Sequence, residues 1–266
     1  MPGLGAPRAP AFNAAPDANA PNWLLAHPAL TDADIAKIDR DFRKRAQSVL
    51  AVDQMIGELQ AAVAAIGEEN NTYFVFSSDN GYHMGEHRLM PGKMTAFDTD
   101  IHVPLIVTGP GIPAGLTVEE VVENIDLHAT FAELGGAEAS SSMDGRSLVA
   151  LLHGQKVVDW RTVALVEHRG PHDNDRTDPD APARRSGNPT TYEALRARTS
   201  LYVEYADGAN EYHDLTTDPH ELRNSYASLS SEEKASLHAT LEAVKSCRGA
   251  QGCGAAERPI RSVTQR

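Results

Sequence analysis

Between positions 79 and 93 the chain sets out Asp79, Asn80, His83, Glu86, His87, Arg88 and Lys93. Carboxylates, an amide, imidazoles, a guanidinium and an ammonium this close together can bind a metal, hold an anion or move a proton. Asp79 and Asn80 are adjacent oxygen donors, the kind that hard divalent ions, above all calcium, gather in numbers. By spacing alone Asp79-Asn80-Gly81 reads first as a turn, because Asx side chains and glycine favour that backbone. Lys93 follows Gly92, and an ammonium in such a loop either faces solvent or neutralises an anion; pattern alone favours solvent. His83 and His87 are four apart, but the glycines around them argue against a helix presenting both rings to one metal. His83, three residues past Asn80, is the better candidate for touching a substrate or leaving group. His87 reads as holding the loop by hydrogen bonding. Glu167-His168-Arg169 close a later apolar run and make His168 a further candidate substrate contact.

These residues need elements to position them. Tyr73-Phe74-Val75-Phe76 reads as a buried strand, and residues 103–107 form a second apolar run that Gly109-Pro110-Gly111 ends. Polar groups just past the C-terminal end of a strand are where an open α/β sheet presents its chemistry. Upstream, Thr31 caps a helix with Asp32 and Asp34 in its first turn. Apolar residues recur at helical steps from Ile35 and Ile38 through Val49, Ile56, Leu59 and Val63 to Ile66, and Gly67 supplies the stop. Asp53 on this helix reads as a solvated or capping acid. Residues 1–22 read as a linker or surface crossing. Residues 118–122 suggest a short strand, 127–134 a helix capped by Asn124-Ile125-Asp126, 140–144 a polar turn, 146–152 a helical turn and 163–166 a strand. Residues 170–191 read as a long exposed loop. The alternation over 192–215, broken at Gly208, predicts antiparallel strands, with a terminal helix over 231–245 capped by Ser230 or Ser231.

With 266 residues and 41% apolar content, the chain can build one large domain or one domain with an appendage. A net charge of −13 and a pI near 5.2 argue against a nucleic-acid partner. They leave an anionic substrate open, since a metal and one or two local cations outweigh a distant negative surface. No apolar run approaches the roughly 18 residues of a membrane span. The first residues show no basic region followed by an apolar stretch, so no signal peptide is read. The two cysteines, Cys247 and Cys253, sit in a glycine-rich tail; their spacing suits a small disulfide loop, and two unpaired thiols is the other reading.

Ser78-Asp79-Asn80-Gly81-Tyr82-His83-Met84-Gly85-Glu86-His87, then Gly92-Lys93, Val103-Pro104-Leu105 and Gly109-Pro110-Gly111, resemble the type I sulfatases of the alkaline phosphatase superfamily. The N-acetylglucosamine-6-sulfatase-like branch is the nearest in pattern. The resemblance runs from about residue 10 to residue 229 and matches the C-terminal half of a typical sulfatase. It implies an α/β fold: a truncated alkaline-phosphatase/sulfatase-like sheet with flanking helices, then a small C-terminal antiparallel subdomain with a terminal helix. The division it implies is 1–160 for the catalytic portion, 161–246 for the small subdomain and 247–266 for a tail. Asp79 and Asn80 would complete a calcium site begun by two aspartates of the N-terminal half, and Lys93 would contact the sulfate ester. In the intact enzyme the hydrated aldehyde of a formylglycine attacks sulfur and displaces the alcohol. The resemblance further implies sulfated amino sugars or glycosaminoglycan fragments as substrates and an extracellular or periplasmic site of action.

The departures from the family pattern are informative. Formylglycine arises from Cys or Ser in a C/S-x-P-x-R motif, and no Cys or Ser of this chain has Pro two positions later. Phe97-Asp98 stand where Tyr-Glu is usual, and His102 where Arg commonly precedes Val-Pro. Two other readings follow: a non-catalytic protein that binds sulfated glycans or pairs with a separate N-terminal half, and a phosphatase or phosphodiesterase of the same superfamily.

Overall fold

The computed structural model describes residues 3–138, 140–171 and 181–258. The chain divides into two compact units, one comprising Met1–Pro110, Arg169–Thr191 and His220–Arg223, the other Gly111–His168, Tyr192–Pro219 and Asn224–Arg266.

The first unit is built around helix α2 (Asp32–Ala65), which follows a short helix α1 (Asn22–Leu25). α2 starts where its cap dictates. The Thr31 hydroxyl accepts the Asp34 N–H, and the Asp34 carboxylate accepts the Thr31 N–H in return, a closed capping box. Only Ile38 of this helix is buried, and Val49, Leu50 and Leu59 are half or more exposed. Strands β1 (Phe74–Ser77) and β2 (Leu105–Thr108) pair antiparallel, with Phe76 opposite Ile106 and Ser77 opposite Leu105. β1 is not the buried strand expected. Phe76 is 39% and Ile106 57% exposed, because among the described residues these two strands form a sheet of their own with no further strand to cover them.

Residues 1–22 also differ from the expected linker. Ala6, with Leu30, Ile38, Met84 and Met90, makes one apolar core, and Ala20, Leu24, Leu89 and Phe97 make a second. The apolar members of the 81–93 loop are thus anchors. The loop is also tied to the N-terminal segment by backbone bonds from Asn13 N–H to the Gly85 carbonyl and from His87 N–H to the Ala11 carbonyl. A helical turn, α3 (Asp98–Ile101), closes the loop on the β2 side. Glu221 accepts the Asp98 N–H there and satisfies one of the open donors of α3.

The second unit holds helices α4 (Asp126–Leu134) and α5 (Val149–Leu152). Its sheet joins β3 (Val163–His168), β4 (Tyr192–Ala197), β5 (Ser200–Tyr205) and β6 (Asn210–Asp214) as an antiparallel meander in chain order. Helix α6 (Ser231–Ser246), opened by a Ser230–Glu233 capping box, buries Leu237, Leu241 and Val244 against Val163, Leu195, Tyr202 and Tyr212. The expected tail forms a further helix, α7 (Gly249–Ala256), joined to the end of α6 by the disulfide Cys247–Cys253.

No strand forms over 118–122. The Val121 carbonyl accepts the Trp160 indole N–H, so this segment is held by a side chain in place of a ladder. The helical turn expected over 146–152 is confined to α5. Within the expected exposed loop 170–191, residues 172–180 lie outside the described residues. The remainder corrects the expectation in part: Ser186, Gly187 and Pro189 are buried, with Ser186 close against Gly92 and Gly187 beside Thr95, Trp23 and Leu89. Among the described residues no helix is long and apolar enough to cross a membrane.

Candidate active site

Asp79 and Asn80 follow Ser78 just past the end of β1, in a tight turn that hydrogen bonds hold. The Ser78 hydroxyl donates to the Asn80 carbonyl at 2.8 Å, and Asp79 Oδ1 accepts the Asn80 N–H at 3.0 Å. Asp79 is exposed. Asn80 Oδ1 accepts from Lys93 Nζ at 3.1 Å, so the structure brings an amide oxygen and an ammonium together from the two ends of the loop. Asp79 and Asn80 suit calcium by chemistry, as hard oxygen donors on one turn. They supply two of the roughly six to eight oxygens such an ion takes. Among the described residues no group of three or more His, Cys, Asp or Glu is placed to hold a metal ion.

The two ends meet because the loop folds back on itself. His83 and Gly92 form an antiparallel bridge, with His83 N–H to Gly92 carbonyl at 2.9 Å and the reverse bond at 3.1 Å. Gly92 has no room for a side chain, since a Cβ there would lie 2.5 Å from Ser186 Cβ and 3.1 Å from His83 Nε2. His83 itself is 1% exposed. Its Nδ1 lies 2.9 Å from both carboxylate oxygens of buried Asp100, and its Nε2 has no hydrogen-bond partner among the described residues.

His87 is buried in a left-handed backbone conformation, and its ring stacks on Phe97 at 3.9 Å between centroids. Its observed contacts fasten the loop. Buried Glu86 turns inward and accepts the Met84 N–H. His168, in the second unit, stacks on Tyr192.

Three residues in the surroundings of His83 escaped the sequence reading: Asp100, Arg185 and Ser186. Arg185 is fixed by Asp34, whose carboxyl is held down at about 2 by hydrogen bonds from the Thr31 backbone and hydroxyl and from Arg185. His27 faces the same region; burial lowers its pKa, and the Arg185 guanidinium lowers it further. A carboxylate seven residues past Lys93 gives no local signal of its own. Asp100 would have been found only by asking which acid could reach His83 across the turn.

Fold and loop together define a class of protein. The sulfatase family model matches residues 8–137, and the model for the C-terminal part of N-sulphoglucosamine sulphohydrolase matches residues 85–246. The chain belongs to the sulfatase family. Within it, N-acetylglucosamine-6-sulfatase of Homo sapiens is 34% identical over 250 residues, covering 86% of this chain and 45% of the relative. An extracellular sulfatase SULF-1 homolog of Drosophila melanogaster is 35% identical over 171 residues, 63% of this chain and 15% of the relative. Among solved structures, one complexed with its substrate D-glucosamine-2-N,6-O-disulfate matches with a TM-score of 0.68 and 28% identity, over 80% of this chain and 42% of the other. Phosphonate monoester hydrolase of Agrobacterium radiobacter matches with a TM-score of 0.59 and 29% identity, over 73% and 38%. The chain spans about half the length of the curated relatives it matches.

Proposed function

We propose that this chain is the C-terminal portion of a calcium-dependent, formylglycine-type sulfatase, and that the portion alone does not turn over substrate. The observation that carries this reading is the pairing of Asn80 Oδ1 with Lys93 Nζ at 3.1 Å, just past β1, in a chain of the sulfatase family. Asp79 and Asn80 are the residues that would hold calcium. When bound, that ion and a formylglycine supplied from outside this sequence would provide charge neutralisation and the nucleophile. Lys93 places a fixed positive charge where sulfate oxygens gain negative charge as the S–O bond breaks, an electrostatic contribution that needs no reorganisation. His83 is the group placed to exchange a proton or a hydrogen bond with the ester or its leaving oxygen. His168 is proposed as a substrate contact, and the division at 160 and 246 as that between catalytic portion, small subdomain and tail.

The substrate class proposed is a sulfated amino sugar or glycosaminoglycan fragment, in keeping with the disulfated glucosamine bound by one structural neighbour and with the names of the relatives. An extracellular or periplasmic setting is supported by the Cys247–Cys253 disulfide. A second reading, a phosphorus-ester hydrolase of the same superfamily, draws on the phosphonate monoester hydrolase likeness. A third, a non-catalytic glycan-binding protein or half-protein partner, draws on the lack of a C/S-x-P-x-R motif in this sequence.

The test is the intact mass of the native protein, recovered from its source with an antibody to the C-terminal tail. A mass far above 28.6 kDa, with a peptide bearing formylglycine, is the expected result. A mass near 28.6 kDa would end the proposal of sulfatase chemistry within one chain.

A further inference from the structure

We infer that Asp100 is the positioning residue of this site: its carboxylate fixes His83 as the Nδ1–H tautomer, leaves Nε2 as the ring atom offered to a ligand, and clamps both flanks of the turn that carries Lys93. Asp100 is 4% exposed. Its Oδ1 accepts the His83 backbone N–H at 3.0 Å, and its Oδ2 accepts the Thr95 N–H at 2.9 Å and the Thr95 hydroxyl at 2.7 Å. A backbone N–H can only donate, so both carboxylate oxygens are acceptors. His83 Nδ1, at 2.9 Å from each of them, must then carry the proton. In the neutral ring the lone pair falls on Nε2, which is buried beside Gly92 and has no partner among the described residues.

The same carboxylate sets the position of Lys93 indirectly. His83 is bridged to Gly92, immediately before Lys93, and Thr95 lies two residues after it. Asp100 therefore holds the turn on both sides. Buried carboxylates that gather several fixed donors are costly to disturb, because the donors left behind lose an acceptor away from water. Asp100 acts through His83 and through the turn, as a second layer supporting the groups that meet substrate. That Nε2 meets a proton-bearing group such as the leaving hydroxyl, or a sulfate oxygen once Nε2 is itself protonated, rests on the sulfatase reading above; the tautomer does not.

The test is a long-range ¹H–¹⁵N correlation spectrum of the 266-residue chain at a pH where the ring is neutral, with His83 assigned by its loss in His83→Gln. The expected result is the Nδ1–H tautomer in the wild type and appearance of the Nε2–H tautomer in Asp100→Asn, whose NH₂ group must oppose one set of donors. Thr95→Val removes one donor to the same carboxylate; it is expected to lower stability and leave the tautomer unchanged. A wild-type Nε2–H tautomer overturns the inference even if Asp100→Asn fails to fold. A folded Asp100→Asn that keeps the wild-type tautomer overturns it as well. Inorganic sulfate is titrated in parallel and is expected to favour the doubly protonated ring, because a sulfate oxygen can meet Nε2 only as Nε2–H. The Nδ1–H tautomer with no response to sulfate supports the role of Asp100 and counts against the sulfate-ester reading.

Discussion

Gly81 has no side chain because the backbone of α3 occupies the place one would take. A Cβ there would stand 2.1 Å from the Thr99 carbonyl oxygen and 3.0 Å from the Asp100 carbonyl carbon, while the Gly81 N–H donates to the Asp100 carbonyl at 2.7 Å. Gly81→Ala must push two backbones apart. It is expected to cost about 1–3 kcal/mol in urea unfolding, the range for overpacking a close contact. Gly57→Ala is the control: nothing lies within 4 Å of its site on α2, and removing a mid-helix glycine is expected to gain roughly 1 kcal/mol. What was legible at this scale divides by sequence distance. Asp79, Asn80, His83 and Lys93 could be singled out because a short loop gathers them. The steric reason for Gly81 could not, since Asp79-Asn80-Gly81 reads as a turn whatever crosses above it. Asp100 and Ser186 were hidden for the same cause, their roles being set by which backbone lies alongside.

In the second unit, the start of α4 and the end of α7 are joined by buried charge. Arg161 bonds the Asp126 and Glu257 carboxylates and lies 3.2 Å from Glu123; Arg146 reaches Glu257 at 2.9 Å. Burial is the largest influence on Glu123 and raises its carboxyl from 4.5 to about 7 against the opposing pull of Arg161. The folded state therefore binds this proton more tightly than the unfolded state. The associated stability is fully present below pH 4.5 and is lost as pH rises through about 7. Denaturant unfolding followed by Trp160 fluorescence in a Trp23→Phe background should show stability falling across that window. Glu123→Gln should flatten the profile there. Elements were readable wherever local chemistry decides them. Thr31 and Ser230 announced α2 and α6, and alternation announced β4 to β6. The misreading over 118–122 came from apolar residues whose backbone is engaged by Trp160, and α7 was missed because glycine and alanine give no periodic signal.

At the scale of the chain, α2 has more apolar surface than its unit covers. Val49, Val52, Ile56, Leu59, Val63 and Ile66 follow three- and four-residue steps, yet Val49 is 59%, Leu59 50% and Ile66 73% exposed. A stripe of that kind on an isolated chain favours association. Sedimentation velocity of the 266-residue chain should show a concentration-dependent rise in mass, and Val49→Lys with Leu59→Glu should suppress it without loss of helix content by circular dichroism. A concentration-independent monomer in the wild type would refute this expectation.

The Asp34–Arg185 ion pair also bears on the order in which the site comes together. The His83–Asp100 contact spans 17 residues, whereas Arg185 and Asp34 are 151 apart. Loop-closure entropy grows with the length of chain to be closed, so contacts between near neighbours form at lower cost than those between distant segments. The turn bearing His83 and Lys93 can therefore take shape from its own stretch of chain. The wall at Ser186 is expected to arrive afterwards, when Arg185 reaches Asp34 of the α2 capping box. Loop-closure entropy therefore leads to the expectation that the chemistry-bearing loop forms early in folding and its enclosure late.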